Sequence, residues 1–117
     1  MENMENCLFC KIVNKQINSE IVYENDDILV FKDLYPKAPV HLLVIPKKHV
    51  SSIMEIEELN DKQANEILRT IAKIAKEMGL DKDGFRVVTN TGASAGQSVD
   101  HLHFHILAKR SFNWPPG

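Results

Sequence analysis

The chain has 117 residues, 44% of them apolar and 26% charged, and a net charge of −2. That length holds one core, so residues 1–117 are expected to form a single domain, and the composition excludes a disordered or fibrous chain. A pI near 6.2 leaves no basic excess for nucleic acid, and the longest apolar run, 40–46, is far below the ~20 residues of a membrane span.

Met1–Glu5 is acidic and lacks the apolar stretch of a secretory signal, so a cytoplasmic location is expected. Cys7 and Cys10 are the only cysteines. In a reducing compartment their C-x-x-C spacing points to metal binding or redox chemistry rather than a structural bridge. Ile21–Glu24 and Asp27–Lys32 read as strands joined by a turn at Asn25-Asp26. Val40–Ile45 is a third strand, fenced by prolines, and Ser51–Ile56 a short helical turn. Leu59, Ala64, Ile67, Leu68, Ile71, Ile74, Ala75 and Met78 recur at spacings of three and four and predict one long helix packed on a core. Asn60 with Gln63 can form its capping box, and Gly79 stands where a terminating glycine belongs. Phe85–Asn90 is a fourth strand. His101–Ala108 is the fifth, with histidines and apolar residues in strict alternation. The order predicts an α+β fold: a five-stranded, mostly antiparallel sheet with one long and one short helix.

All five histidines fall in two segments: His41 and His49, then His101, His103 and His105. Same-face residues two apart on a strand lie ~7 Å from each other, so the last three predict a row of imidazoles. Imidazole can be nucleophile, general base or metal ligand near neutral pH without a large pKa shift. Directly upstream runs Asn90–Ser98. Its glycines, Gly92 and Gly96, let backbone N–H groups approach an anion, and Asn90, Gln97 and Ser98 add side-chain hydrogen bonds. Three readings stay open on the residues alone. One is a phosphate cradle beside a nucleophile. Another is a catalytic zinc held by three imidazoles, which on one flat strand reach a ~2.0–2.1 Å metal shell only with distortion. The third is a nucleotide-binding or scaffold module without catalysis.

The run 101–107 carries the pattern H-φ-H-φ-H-φ-φ, with φ apolar, and the chain resembles the histidine triad (HIT) family. The resemblance covers residues 7–117. Phe31–Asp33, the run 38–49, the loop 90–98 and the terminal Trp114–Gly117 are similar to the Hint branch in particular. It implies a HIT-like fold whose sheet joins that of a second copy in a homodimer. It also implies a hydrolase or transferase acting at the α-phosphate of purine nucleoside phosphoramidates, such as adenosine 5′-phosphoramidate. The alternative within the family is a dinucleoside polyphosphate hydrolase.

By the same resemblance, His103 matches the nucleophile that becomes nucleotidyl-histidine, and His41 the histidine that orients or tunes it. His105, Ser98 and the amides near Gly96–Val99 match the groups that hold the phosphate oxygens, with Asn90 and Gln97 in the same loop. Asp33 matches a carboxylate that accepts both ribose hydroxyls. Phe9, Ile12, Ile17, Phe31 and Leu43 match the apolar walls of a purine pocket. Trp114 lies in a tail that reaches the partner's site and shapes substrate choice, although Lys109–Asn113 departs from the branch's glycine-containing stretch. Cys7 and Cys10 are similar to a zinc-binding subset in which, with His49 and His101, they hold one structural Zn²⁺. No organic cofactor is implied. Strand alternation puts His101 on the nucleophile's face, so as a zinc ligand it has to turn aside.

Overall fold

The computed structural model describes residues 6–117; Met1–Glu5, on which the expectation about a signal segment rests, lies outside the described residues. The elements in chain order are α1 (Leu8–Val13), β1 (Ile21–Glu24), β2 (Ile28–Lys32), β3 (Val40–Pro46), a 3-10 turn (Ile53–Glu58), α2 (Asp61–Glu77), α3 (Leu80–Asp83), β4 (Phe85–Val88), a second 3-10 turn (Ala93–Ala95) and β5 (Phe104–Ala108). The five strands make one antiparallel sheet in the order β1-β2-β3-β5-β4.

The central strands read as unbroken apolar runs because both sheet faces are covered. Ile28, Val30, Leu42, Val44 and Ile106 point to one face, where α2 lays Ile67, Ile71, Ile74 and Ala75 against them. Leu29, Phe31, Leu43 and Ile45 point to the other, where α1 brings Phe9, Cys10 and Ile12. Each fully buried isoleucine or leucine contributes roughly 1.5–3 kcal/mol of transfer free energy. The β1–β2 turn is set by Asn25, whose side-chain oxygen accepts from the N–H groups of Asp27 and Ile28, both at 2.8 Å.

The capping box of α2 forms in both directions. Asn60 Oδ1 accepts from the Gln63 N–H at 2.8 Å, and Gln63 Oε1 accepts from the Asn60 N–H at 2.9 Å. Gly79 ends the helix with φ of 70°, a left-handed conformation that a side chain would strain. The apolar stripe is narrower than the spacing suggests. Its buried line runs through Ile67, Thr70, Ile71, Ile74 and Ala75, which leaves Leu68 64% and Met78 40% exposed.

The structure also departs from expectation at both ends of the site. β4 stops at Val88, and β5 begins at Phe104, not at His101. Val44 pairs with Phe104, but two residues further along β3 stands Pro46, which has no N–H with which to continue the ladder. Residues 102 and 103 bond elsewhere: the Leu102 N–H to the Val50 carbonyl at 2.8 Å, and the His103 carbonyl to Thr89 Oγ1 at 2.7 Å. α1, α3 and the 93–95 turn are additions that the sequence pattern did not predict. None of the helices is long and apolar enough to cross a membrane among the described residues.

Candidate active site and metal cluster

β3 and β5 lie side by side, with Leu43 opposite His105 and His41 opposite Leu107. His41 and His105 therefore project from the sheet face that α1 covers. His41 Nδ1 accepts from the Lys37 backbone N–H at 3.0 Å, which places the ring proton on Nε2. That Nε2–H points at His105 Nδ1, 2.9 Å away, with Asp33 Oδ2 as a second, longer neighbour at 3.4 Å. His105 then accepts at Nδ1 and carries its own proton on Nε2. His103 is fixed differently. Its Nδ1 donates to the His101 carbonyl at 2.7 Å, so its lone pair sits on Nε2. Phe9 packs edge-on against the His103 ring, centroids 5.1 Å apart.

Burial disfavours the imidazolium form at both supporting histidines. His41 is held below its ordinary value chiefly by burial, opposed by Asp33 and reinforced by Lys37. His105 is pushed down to about 4, again chiefly by burial, with His103 and His41 adding to it and Asp33 opposing. Both are neutral near pH 7, as the hydrogen-bond chain requires.

A cavity of about 260 Å³ opens beside this chain. Of the expected residues, Phe9, Ile12, Ile17, Phe31, Asp33, Leu43, Ser98, Val99, His103 and His105 line it. Leu8, Asn18, Ser19, Lys32, Leu34 and Tyr35 line it as well and were not anticipated. Leu8 had no visible signal without α1. Leu34 and Tyr35 did carry one: adjacent large apolar groups directly after Asp33, 77% and 76% exposed.

The other expected residues stand apart from the cavity. Gln97 braces its loop: Oε1 accepts from the Gly92 N–H at 2.8 Å, and Nε2 donates to the carbonyls of Ser51 (2.7 Å) and Val99 (3.0 Å). Gly96, at φ of 91°, turns that loop toward Ser98. Asn90 and Trp114 line a separate open cleft along β4, of about 660 Å³, and Trp114 is 84% exposed there.

The triad does not act as one row. Outside the strand, His101 is released from its alternation and turns to the cysteines, so the three histidines do not converge on one metal. Cys7 caps α1, its Sγ accepting from the Cys10 N–H at 3.3 Å, so the first turn of the helix brings both sulfurs to one side. His101 Nδ1 lies 3.3 Å from Cys7 Sγ, 3.6 Å from Cys10 Sγ and 3.2 Å from His49 Nδ1, and His49 Nδ1 lies 3.3 Å from Cys10 Sγ. All four ligand atoms fall within 4.8 Å of one another. Tetrahedral zinc needs N···N edges of about 3.3 Å and S···N edges of about 3.5 Å, so the donor set fits. His101 Nε2 donates to the Pro46 carbonyl at 2.8 Å, which directs Nδ1 into the cluster.

The family model for the HIT domain matches residues 14–112. An uncharacterised HIT-like protein of Synechococcus elongatus is 44% identical over 97% of this chain and 98% of its own. A 14 kDa zinc-binding protein of Brassica juncea is 43% identical over 94% of this chain and 98% of its own. Among solved structures, a HIT family hydrolase from Legionella pneumophila superposes with a TM-score of 0.86 at 43% identity, covering 96% of this chain and all of that one. A histidine triad protein from Clostridium difficile gives 0.86 at 49% identity, covering 94% and 96%. Matched by the family model over residues 14–112, and along nearly its whole length by relatives and solved folds, this chain belongs to the HIT domain family.

Proposed function

We propose that the protein is a hydrolase or nucleotidyl transferase acting at the α-phosphate of purine nucleoside phosphoramidates. The observation that carries this is the tautomer of His103: with Nδ1–H tied to the His101 carbonyl, the lone pair is on Nε2 of a residue that lines the cavity. Nε2 attacks phosphorus, the phosphorus–nitrogen bond breaks, and the departing amine takes a proton. Water then cleaves the nucleotidyl-histidine, releasing the nucleoside monophosphate and restoring the imidazole. Splitting one displacement into two easier ones is what a nucleophile of this kind does.

His105 Nε2–H, Ser98 and the loop amides supply donors for the phosphate oxygens. Each well-aimed donor is worth about 3–4 kcal/mol in such a site. Asp33, on the cavity wall, takes the ribose hydroxyls, and Phe9, Ile12, Ile17, Phe31 and Leu43 enclose the base. Apolar walls reward the larger face of a purine. Cys7, Cys10, His49 and His101 hold one zinc, which supplies structural support and, with four protein ligands, no open position for chemistry. The zinc-binding relative and the Hint-like tail support the zinc and the phosphoramidase reading respectively. The working protein is a cytoplasmic homodimer.

The test is turnover of a fluorogenic adenosine phosphoramidate. The parent should release amine, and quenched enzyme should carry one nucleotide on His103. His103→Ala should be slower by about 10³-fold or more, as losses of covalent nucleophiles generally are. Near-parental activity in that variant would exclude His103 as nucleophile.

A further inference from the structure

His41 takes its tautomer from the Lys37 N–H, so whatever holds Lys37 also holds the histidine chain. Lys37 sits in the segment 34–39, which forms no ladder and contains Pro36 and Pro39, neither with an N–H to anchor it. Two of its bonds are local: the Tyr35 N–H to Asp33 Oδ1, and the Lys37 N–H to His41. Among the described residues, one hydrogen bond reaches the backbone of this segment from a distant part of the chain. Arg110 Nε donates to the Lys37 carbonyl at 2.9 Å.

Arg110 is pre-shaped for that reach. β5 ends at Ala108, and Lys109 takes φ of 73°, a sharp left-handed turn. The guanidinium then lies over the Phe112 ring, 4.2 Å from its centroid, while Nη1 donates to the Ser111 carbonyl at 3.0 Å. Arg86 from β4 approaches the same ring at 5.1 Å and donates to the Asn113 carbonyl at 3.0 Å. An exposed arginine ordinarily samples many rotamers; the stacking and two hydrogen bonds select one.

We infer that Arg110 is a positioning residue for the catalytic histidines, acting through the Lys37 peptide groups on His41. The inference rests on the proposed role of His41 and His105 in the reaction. Arg110 does not line the cavity beside the histidines. It holds the Lys37 carbonyl, so the Lys37 N–H stays on His41 Nδ1, and the His41 Nε2–H stays on His105. The groups that face His41 are Asp33 and Lys37 from the adjoining loop and His105 from β5. Of these, Asp33 favours the protonated ring. Losing the Lys37 N–H removes a bond made only to the unprotonated Nδ1, so the ring gains proton affinity and its Nε2–H shifts toward Asp33.

The test compares zinc-replete, histidine-¹⁵N-labelled protein as parent, Arg110→Ala, Arg110→Lys and Arg86→Ala. The parent should show His41 locked with its proton on Nε2. Arg110→Ala should show averaged nitrogen shifts, a His41 titration moved toward neutral pH, and kcat lower by about 5–20-fold with KM within about 2-fold. Arg110→Lys, whose ammonium still reaches the Lys37 carbonyl, should recover part of each change. Arg86→Ala loosens the same tail without touching Lys37 and should keep the parental His41 pattern. A parental His41 pattern in Arg110→Ala, or equal disturbance in Arg86→Ala, overturns the inference. If the parent turns over no phosphoramidate, the functional reading fails instead, and the nitrogen shifts still decide the role of Arg110.

Discussion

A backbone group sets the ring tautomer of three histidines: the Lys37 N–H for His41, the His101 carbonyl for His103, and the Pro46 carbonyl for His101; His105 takes its tautomer from the His41 Nε2–H. The histidine spacing made these residues visible as a group, but not their division of labour. Alternation along a strand assigns His101, His103 and His105 to one face, and the early end of the ladder at Pro46 cancels that rule for His101. This division has a pH signature. Folding lowers the proton affinity of His41 and His105, the latter to about 4 from an ordinary 6.5. The unfolded chain therefore binds more protons between those values. The stability that these two groups contribute is fully present above about pH 6.5 and is lost as the pH falls toward about 4. Denaturant midpoints should decline through that window, and His105→Asn should flatten the decline by up to one proton. A parent whose midpoint ignores pH there would contradict a neutral, buried His105.

The long helix was legible down to its caps, because a capping box and a terminating glycine are local chemistry. Asn60→Ala should cost about 1 kcal/mol and lower Tm by a few degrees, measured by calorimetry, with activity unchanged. α1 was not legible. Its six residues are too few for a periodic signal, and what holds it is long-range: Cys7 lies 94 residues from His101. The same helix places Phe9 and Ile12 in the cavity wall and both cysteines in the metal cluster. Structure and binding are thereby coupled. Zinc that binds only the folded chain should raise stability by several kcal/mol. Metal analysis should find about one zinc per chain, as a single closed tetrahedral site requires. Removing it, or making Cys7→Ser with Cys10→Ser, should lower Tm and raise KM through a loosened Phe9 wall, while kcat of folded protein changes little. A metal-free protein whose double variant melts like the parent would exclude the site.

Across the whole molecule, the two edges of the sheet are not equivalent. β1 is short, its register with β2 shifts between Ile21 and Tyr23, and Glu24 at its end is bridged to Lys15 and Lys47. Bulges and charges of this kind blunt an edge against pairing. β4 pairs with β5 without a shift of register, and its one charge, Arg86, turns to the chain's own tail at Asn113. It pairs with β5 on one side only, Val87 is 40% exposed, and an open cleft separates it from Trp114 and the chain end. A second copy joined at β4 would satisfy that edge, and Trp114, 84% exposed in one chain, would then have a second protomer to meet. Light scattering should therefore give about twice the 13.3 kDa chain mass. The tail should act on substrate choice, not on folding. Deleting 114–117 leaves the Arg110–Phe112 stack in place, so it should change the ratio of kcat/KM between bulky and small leaving amines while leaving Tm within a degree or so of the parent. Deleting 112–117 removes the ring on which Arg110 rests and should lower kcat for every amine alike. A fully active monomer at micromolar concentration, indifferent to the loss of 114–117, would show that the β4 edge stays open and that Trp114 serves no second site.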